Sequence, residues 1–203
     1  MALTKEEDWE AINEWLQPKS SDYWVEAPSL TQKVFLKTTA QEVLFGGAAG
    51  GGKSSALLMA ALQYVDVPNY SAILFRRTYA DLSLPGALMD RFREWISNYD
   101  DIHWNANQYT ATFPSGARVT FGYLNNSQDY LRYKGSEFQF IGMDEVTEIR
   151  EADYRYLFSR LRRPSTGPLA QVPLRMRAAT NPAPNWVRQR FLVEGNEKGR
   201  IFV

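Results

Sequence analysis

The sequence predicts an α/β domain of three layers, with helices on both sides of a mainly parallel sheet. Three observations carry that prediction. An apolar strand over residues 42–46 runs through a glycine-rich turn into an apolar helix; a second apolar strand, 138–145, ends in adjacent carboxylates; and four or five such strands alternate with helical patterns along the chain. With 203 residues, 44% of them hydrophobic, the chain can fill one sizeable core.

Composition removes several function classes. The absence of cysteine excludes disulfides and thiolate metal sites, and His103 as the sole histidine argues against a zinc centre. No stretch approaches the roughly 20 apolar residues of a membrane span, and Lys5, Glu6, Glu7 and Asp8 do not make a signal peptide. A soluble, intracellular protein without membrane contact is expected. Charges balance at 23 of each sign, yet residues 1–29 carry seven acidic side chains against Lys5 and Lys19, and residues 154–193 hold eight arginines with no Asp or Glu. Such asymmetry suits either a polyanion-facing surface or complementary contacts between subunits.

Taken in order, Thr4 and Glu7 form a capping box ahead of Trp9, Ile12, Trp15 and Leu16, which predicts a helix over 5–16 ended by Pro18. Residues 1–28 read as an N-terminal helix and arm, and 29–203 as the main domain. A short helical stretch precedes the first strand and contains Gln32. Its amide offers a donor and an acceptor together and could hold an adenine edge; a solvated side chain is the alternative.

The turn after the first strand carries the spacing G-x-x-x-x-G-K-[ST], with Gly47, Gly52, Lys53 and Ser54 in the required places. Backbone N–H groups of Gly47, Ala48, Ala49, Gly50, Gly51 and Gly52, with Lys53, Ser54 and Ser55 at the start of the following helix, make a phosphate cradle. Lys53 is assigned to the β- and γ-phosphates, and the Ser54 hydroxyl to Mg²⁺.

Ser71–Phe75 is a short buried strand ending in Arg76 and Arg77, which are either ligand-facing or surface charge. A helix is predicted over 84–99, then an antiparallel hairpin over 108–123 turning at Pro114-Ser115-Gly116, then a loop-like stretch, 129–135, with Arg132 and Lys134. The strand Phe138–Glu145 follows. Asp144 there suits the Mg²⁺ shell and Glu145 the activation of water. A helix over 151–163, a strand over 174–179 ending in Thr180-Asn181-Pro182, and a last helix over 184–193 complete the chain. Polar groups at 180–181 would lie beside the Asp144 strand and sense the γ-phosphate.

The P-loop, Phe75-Arg-Arg-Thr-Tyr-Ala-Asp-Leu82, the Phe113-Pro-Ser-Gly116 hairpin, Gly142-Met-Asp-Glu145 and Ala178-Ala-Thr-Asn-Pro182 occur in that order. Together they resemble the ATPase domain of phage terminase large subunits, over about residues 32–191. The resemblance implies a P-loop NTPase of the additional-strand, catalytic-glutamate type that hydrolyses ATP with Mg²⁺ to drive double-stranded DNA into a procapsid. It further implies a homo-oligomeric ring at the portal vertex in the host cytoplasm, with portal protein and small terminase subunit as partners. Glu145 then corresponds to the catalytic carboxylate, Thr180 and Asn181 to the coupling motif, and Gln32 to the adenine-binding glutamine.

Two departures from that family stand out. Some members carry an arginine inside the P-loop, where this chain has Ala48 and Ala49. Arg132 of a neighbouring subunit is the first candidate for the missing arginine finger, with Lys134, Arg76 and Arg160 behind it. The nuclease domain that follows in the family has no counterpart here, so ATPase without nuclease activity is expected and the residues read as one domain of a longer protein. A helicase-like translocase and a nucleotide-dependent assembly module without sustained turnover are the alternative readings.

Overall fold

The structure is a computed structural model that describes residues 17–47, 50–181 and 183–203. The helix predicted over 5–16 lies outside the described residues, as do Ala48, Ala49 and Pro182.

Among the described residues, eight strands form one sheet. They are β1 Glu42–Gly46, β2 Ser71–Arg76, β3 His103–Asn105, β4 Thr110–Thr112, β5 Arg118–Tyr123, β6 Phe140–Asp144, β7 Arg175–Thr180 and β8 Arg200–Phe202. Their spatial order is β3-β4-β5-β2-β6-β7-β1-β8. All pairs from β5 to β8 are parallel, and only β3-β4 and β4-β5 are antiparallel. The hairpin therefore does more than interrupt the fold. Its second strand, β5, joins the parallel sheet beside β2, and β3 and β4 extend the sheet outward.

Alternation along the central strands explains the three layers. Val43 and Phe45 pack on one face with Leu74 and Phe140, while Leu44, Ile73, Phe75, Ile141 and Met143 pack on the other. The first face is covered by α1 Leu30–Lys37, α2 Lys53–Leu62 and α4 Leu88–Ile96; the second by α5 Glu151–Phe158 and the segment from α6 Trp186–Arg188 onward. Both faces are therefore dry, as the continuous apolar runs of the strands require.

Several elements depart from the expected boundaries for local reasons. The helix predicted over 84–99 is shorter, α4 Leu88–Ile96, and starts only after Pro85 and Gly86, the latter at φ +74°; a separate helix that the sequence reading did not anticipate, α3 Tyr79–Ser83, precedes it. A capping box between Thr78 and Asp81 starts α3. The helix after residue 151 ends at Phe158, because the backbone of Arg160 and Arg162 then pairs with Phe138. Residues 129–133 form one 3₁₀ turn, and residues 189–193 a π turn continuing α6.

The described part of the N-terminal arm packs on the domain. Trp24 donates to the Met59 carbonyl at 3.0 Å, and Tyr23 meets Tyr99 and Phe113 edge-on.

The arginine-rich segment is corrected in one respect. Three of its eight arginines are inside the protein and face no polyanion: Arg175, Arg177 and Arg190 are 7%, 0% and 9% exposed. Arg190 forms an ion pair with Glu42, which Arg200 also reaches at 3.3 Å. Arg177 has instead the carbonyls of Thr38 and Ala40, at 2.8 and 3.0 Å, and the Phe35 ring. Burial, with Arg175 beside it, pushes the Arg177 guanidinium below the usual arginine range. These bonds tie the end of α1 to β7.

Candidate functional site

In an open parallel sheet, ligands sit beyond the carboxyl ends of the strands. Four adjacent strands, β2, β6, β7 and β1, end here in Arg76, Asp144, Thr180 and Gly46. The glycine-rich turn leaves β1 and returns as α2, so its helix start points at the same edge.

The turn needs its glycines. Gly47, Gly50 and Gly52 have φ of +138°, +81° and +71°, a region that side chains with a Cβ adopt at a cost. Gly52 has a second constraint, since a Cβ there would stand 2.6 Å from the Gln32 amide nitrogen. Gln32 donates to the Gly52 carbonyl at 2.9 Å and accepts from the Ser29 N–H at 2.8 Å as part of the α1 capping box. The structure thus seats Gln32 against the P-loop, with its amide engaged at both ends.

The first three residues of α2 face three ways, as about 100° of rotation per residue dictates. Lys53 donates to the Gly47 carbonyl and to Asn181 Oδ1, each at 3.0 Å. Ser54 Oγ lies 3.2 Å from both carboxylate oxygens of Asp144. Ser55 turns away from both and meets Arg91 of α4 at 3.1 Å.

Asp144 is 2% exposed at the end of β6. Arg76 reaches it from the next strand, Nε and Nη2 lying at 2.9 and 2.8 Å from Oδ2. Burial pushes the Asp144 carboxyl above the usual carboxylate range, and the Arg76 guanidinium holds it back, as does the Ser54 hydroxyl; Glu145 adds to the rise. Asp144 and Ser54 together offer a hydroxyl and a carboxylate at one point, which fits a hard cation such as Mg²⁺.

Glu145 adopts φ +49° and ψ +52°, a left-handed conformation that is strained for a glutamate. That bend takes its side chain from the strand direction toward β7, where Thr180 Oγ1 donates to Glu145 Oε2 at 3.2 Å. Thr147 Oγ1 stands 2.7 Å from the same threonine hydroxyl. Thr180 and Asn181 are consecutive, so one strand end touches both the glutamate and the P-loop lysine.

Arg132 stands elsewhere. On the turn 129–133 it pairs with Asp129 at 3.1 Å and covers the Tyr123 ring at 4.7 Å from its centroid, with its side chain 49% exposed. The Tyr123 hydroxyl raises its affinity for the proton, and Asp129 is itself held by the N–H groups of Asn125 and Asn126 at 2.8 Å. Sequence reasoning missed Thr147, Arg91 and Asp129, and left Arg76 undecided. Thr147, Arg91 and Asp129 stand in no motif, and Arg76, though inside the Phe75–Leu82 stretch, finds its partner only through strand order.

A family model described as the N-terminal part of the terminase large subunit, T4likevirus-type, matches residues 44–166. No curated protein sequence matches the chain. Solved structures share the fold. The large terminase of bacteriophage HK97 superposes with a TM-score of 0.66 at 10% identity, over 95% of this chain and 42% of that one. The large terminase of a thermophilic bacteriophage gives 0.64 at 14% identity, over 92% and 45%, and has also been solved with ADP and with ATP-γ-S. The large terminase ATPase domain of Thermus phage P74-26 gives 0.58 at 15% identity, over 87% and 75%. The chain spans less than half the length of the first two. With more than half of its residues inside the matching family model, the chain belongs to the terminase large-subunit family through that family's N-terminal part.

Proposed function

We propose that this chain is a Mg²⁺-dependent ATPase that drives double-stranded DNA into a procapsid. The observation that carries the reading is the meeting of Lys53, Ser54, Asp144, Glu145, Thr180 and Asn181 at one sheet edge, from three separate strand ends. Phosphoryl transfer asks a protein mainly for positioning and charge, and each residue has such a task. The P-loop amides and Lys53 bind the phosphates. Ser54 and Asp144 hold Mg²⁺, which when bound neutralises phosphate charge. Glu145 orients the attacking water and accepts its proton. Thr180 keeps the carboxylate aimed, and Asn181 exchanges Lys53 with the γ-phosphate, so that hydrolysis reaches β7 and its following segment. Gln32 borders the adenine side through Gly52.

The second cation at the γ-phosphate is assigned to Arg132 of a neighbouring subunit in a homo-oligomeric ring. Within its own chain Arg132 is exposed and engaged with Asp129 and Tyr123, while Arg76 is committed to Asp144. Portal protein and small terminase subunit, at the procapsid vertex, belong to the same reading. The test is phosphate release by the purified chain as its concentration rises, with and without double-stranded DNA, beside Glu145→Gln. Specific activity that climbs with concentration and vanishes in Glu145→Gln supports the proposal. Nucleotide binding without turnover at any concentration would favour an assembly module, and separation of a forked duplex a helicase.

A further inference from the structure

Arg91 is a half-buried cation on α4 that no motif contains. Its Nη1 donates to Ser55 Oγ at 3.1 Å and its Nη2 to the Gly86 carbonyl at 3.4 Å. Among the described residues no carboxylate pairs with it; the nearest in sequence, Asp90, is spent on the Gly86 N–H at 2.8 Å.

The placement is electrostatically odd. Ser55 is the third residue of the ten-residue helix α2, and the start of a helix carries a positive partial charge that favours anions. A guanidinium held against that end, with no acid beside it, sets two positive features facing each other. An anion between them resolves the conflict. Lys53 and Ser54 already face the Asn181 and Asp144 side of the site, and the rotation of the helix directs Ser55 to the other side of the cradle, where the P-loop holds the nucleotide's inner phosphates.

We infer that Arg91 binds the nucleotide in its own chain at the α/β-phosphate end, with Ser55 as its guide. This inference rests on the nucleotide reading above and goes beyond it by separating two cationic roles. Arg91 contributes to holding ADP and ATP alike, whereas a γ-phosphate cation distinguishes them. The planar fork of arginine suits two phosphate oxygens at once. The Gly86 turn, held by Asp90 through its N–H and by Arg91 through its carbonyl, gives the side chain a fixed base.

Calorimetric binding of ADP and of a slowly hydrolysed ATP analogue to the purified chain tests the inference. Arg91→Gln, which can keep the bond to Ser55 but lacks the charge, is expected to weaken both ligands equally, by about tenfold. Its melting temperature reports whether the fold is intact. If that variant does not fold, Arg91→Lys replaces it, with a smaller loss expected for both ligands. Unchanged affinities for ADP and the analogue would leave Arg91 as a tether between α4 and α2 and overturn the inference. A loss confined to the analogue would place the contact at the γ-phosphate and overturn it as well. Parent protein that binds neither ligand would remove the nucleotide reading itself, a result distinct from equal binding by parent and variant.

Discussion

The Arg76 guanidinium grips Asp144 from the adjacent strand through Nε and Nη2, at 2.9 and 2.8 Å. Because Asp144 is 2% exposed, its charge depends on that grip and on Ser54. Removing one partner of a buried pair strands the other. Arg76→Met is expected to lower stability by about 1–3 kcal/mol, less than a fully buried pair because Arg76 keeps some contact with solvent. In urea denaturation, Asp144→Asn in the same chain should recover part of the loss. Additive effects would deny the coupling.

Thr180 has a different task, since its hydroxyl meets both Glu145 and Thr147. Thr180→Val keeps the shape and removes the bonds. On the general-base role proposed for Glu145, hydrolysis should drop by about tenfold with ADP affinity retained, since the aim of the carboxylate and not binding is disturbed. Thr180→Ser should stay near the parent rate. A Val variant with full turnover would separate the threonine from the glutamate's work.

Asp129 holds Arg132 and is in turn held by two backbone N–H groups. Asp129→Asn keeps the size and weakens the ion pair. If Arg132 serves a neighbour's nucleotide, turnover in concentrated protein should fall by about tenfold, a fraction of the order of 10³ expected for Arg132→Ala, because the finger is loosened and not removed. Nucleotide affinity of dilute protein should not change. Equal turnover of Arg132→Ala and parent at high concentration would dismiss Arg132.

Gly46 closes β1 under the Phe202 ring, and a Cβ there would stand 2.2 Å from the ring carbon Cε2. Gly46→Ala must therefore push Phe202 off the sheet edge and loosen the three-residue strand β8. A loss of about 1 kcal/mol is expected, at the lower end for overpacking because Phe202 is partly exposed. Phe202→Ala should relieve the strain in the double variant, read as non-additivity in thermal denaturation.

The motifs were legible in the sequence because their chemistry is local. Gly47, Gly52, Lys53 and Ser54 stand within a few consecutive positions and the pair Asp144-Glu145 at one strand end, so residue type and spacing sufficed to place them. Arg76 could not be assigned that way. Its partner is 68 positions away, and only the adjacency of β2 and β6 brings them together. The same holds for Arg175 and Arg177, which read as surface charge until β7 proves central and the end of α1 supplies carbonyls. β3 and β8, at three residues each, are too short to show a period. The helix read over 84–99 begins only at Leu88, after the Pro85-Gly86 break, and the five-residue helix α3 before it is too short to show a period.

On the role proposed for Glu145, its left-handed backbone sets folding and catalysis against each other at one residue. That conformation suits asparagine far better than glutamate, and glutamate holds it at a cost of about 1 kcal/mol. A chain optimised for stability alone would not place glutamate there. Glu145→Asn should match or exceed the parent in resistance to unfolding while losing hydrolysis, which makes this position a measure of how much robustness the domain has exchanged for turnover.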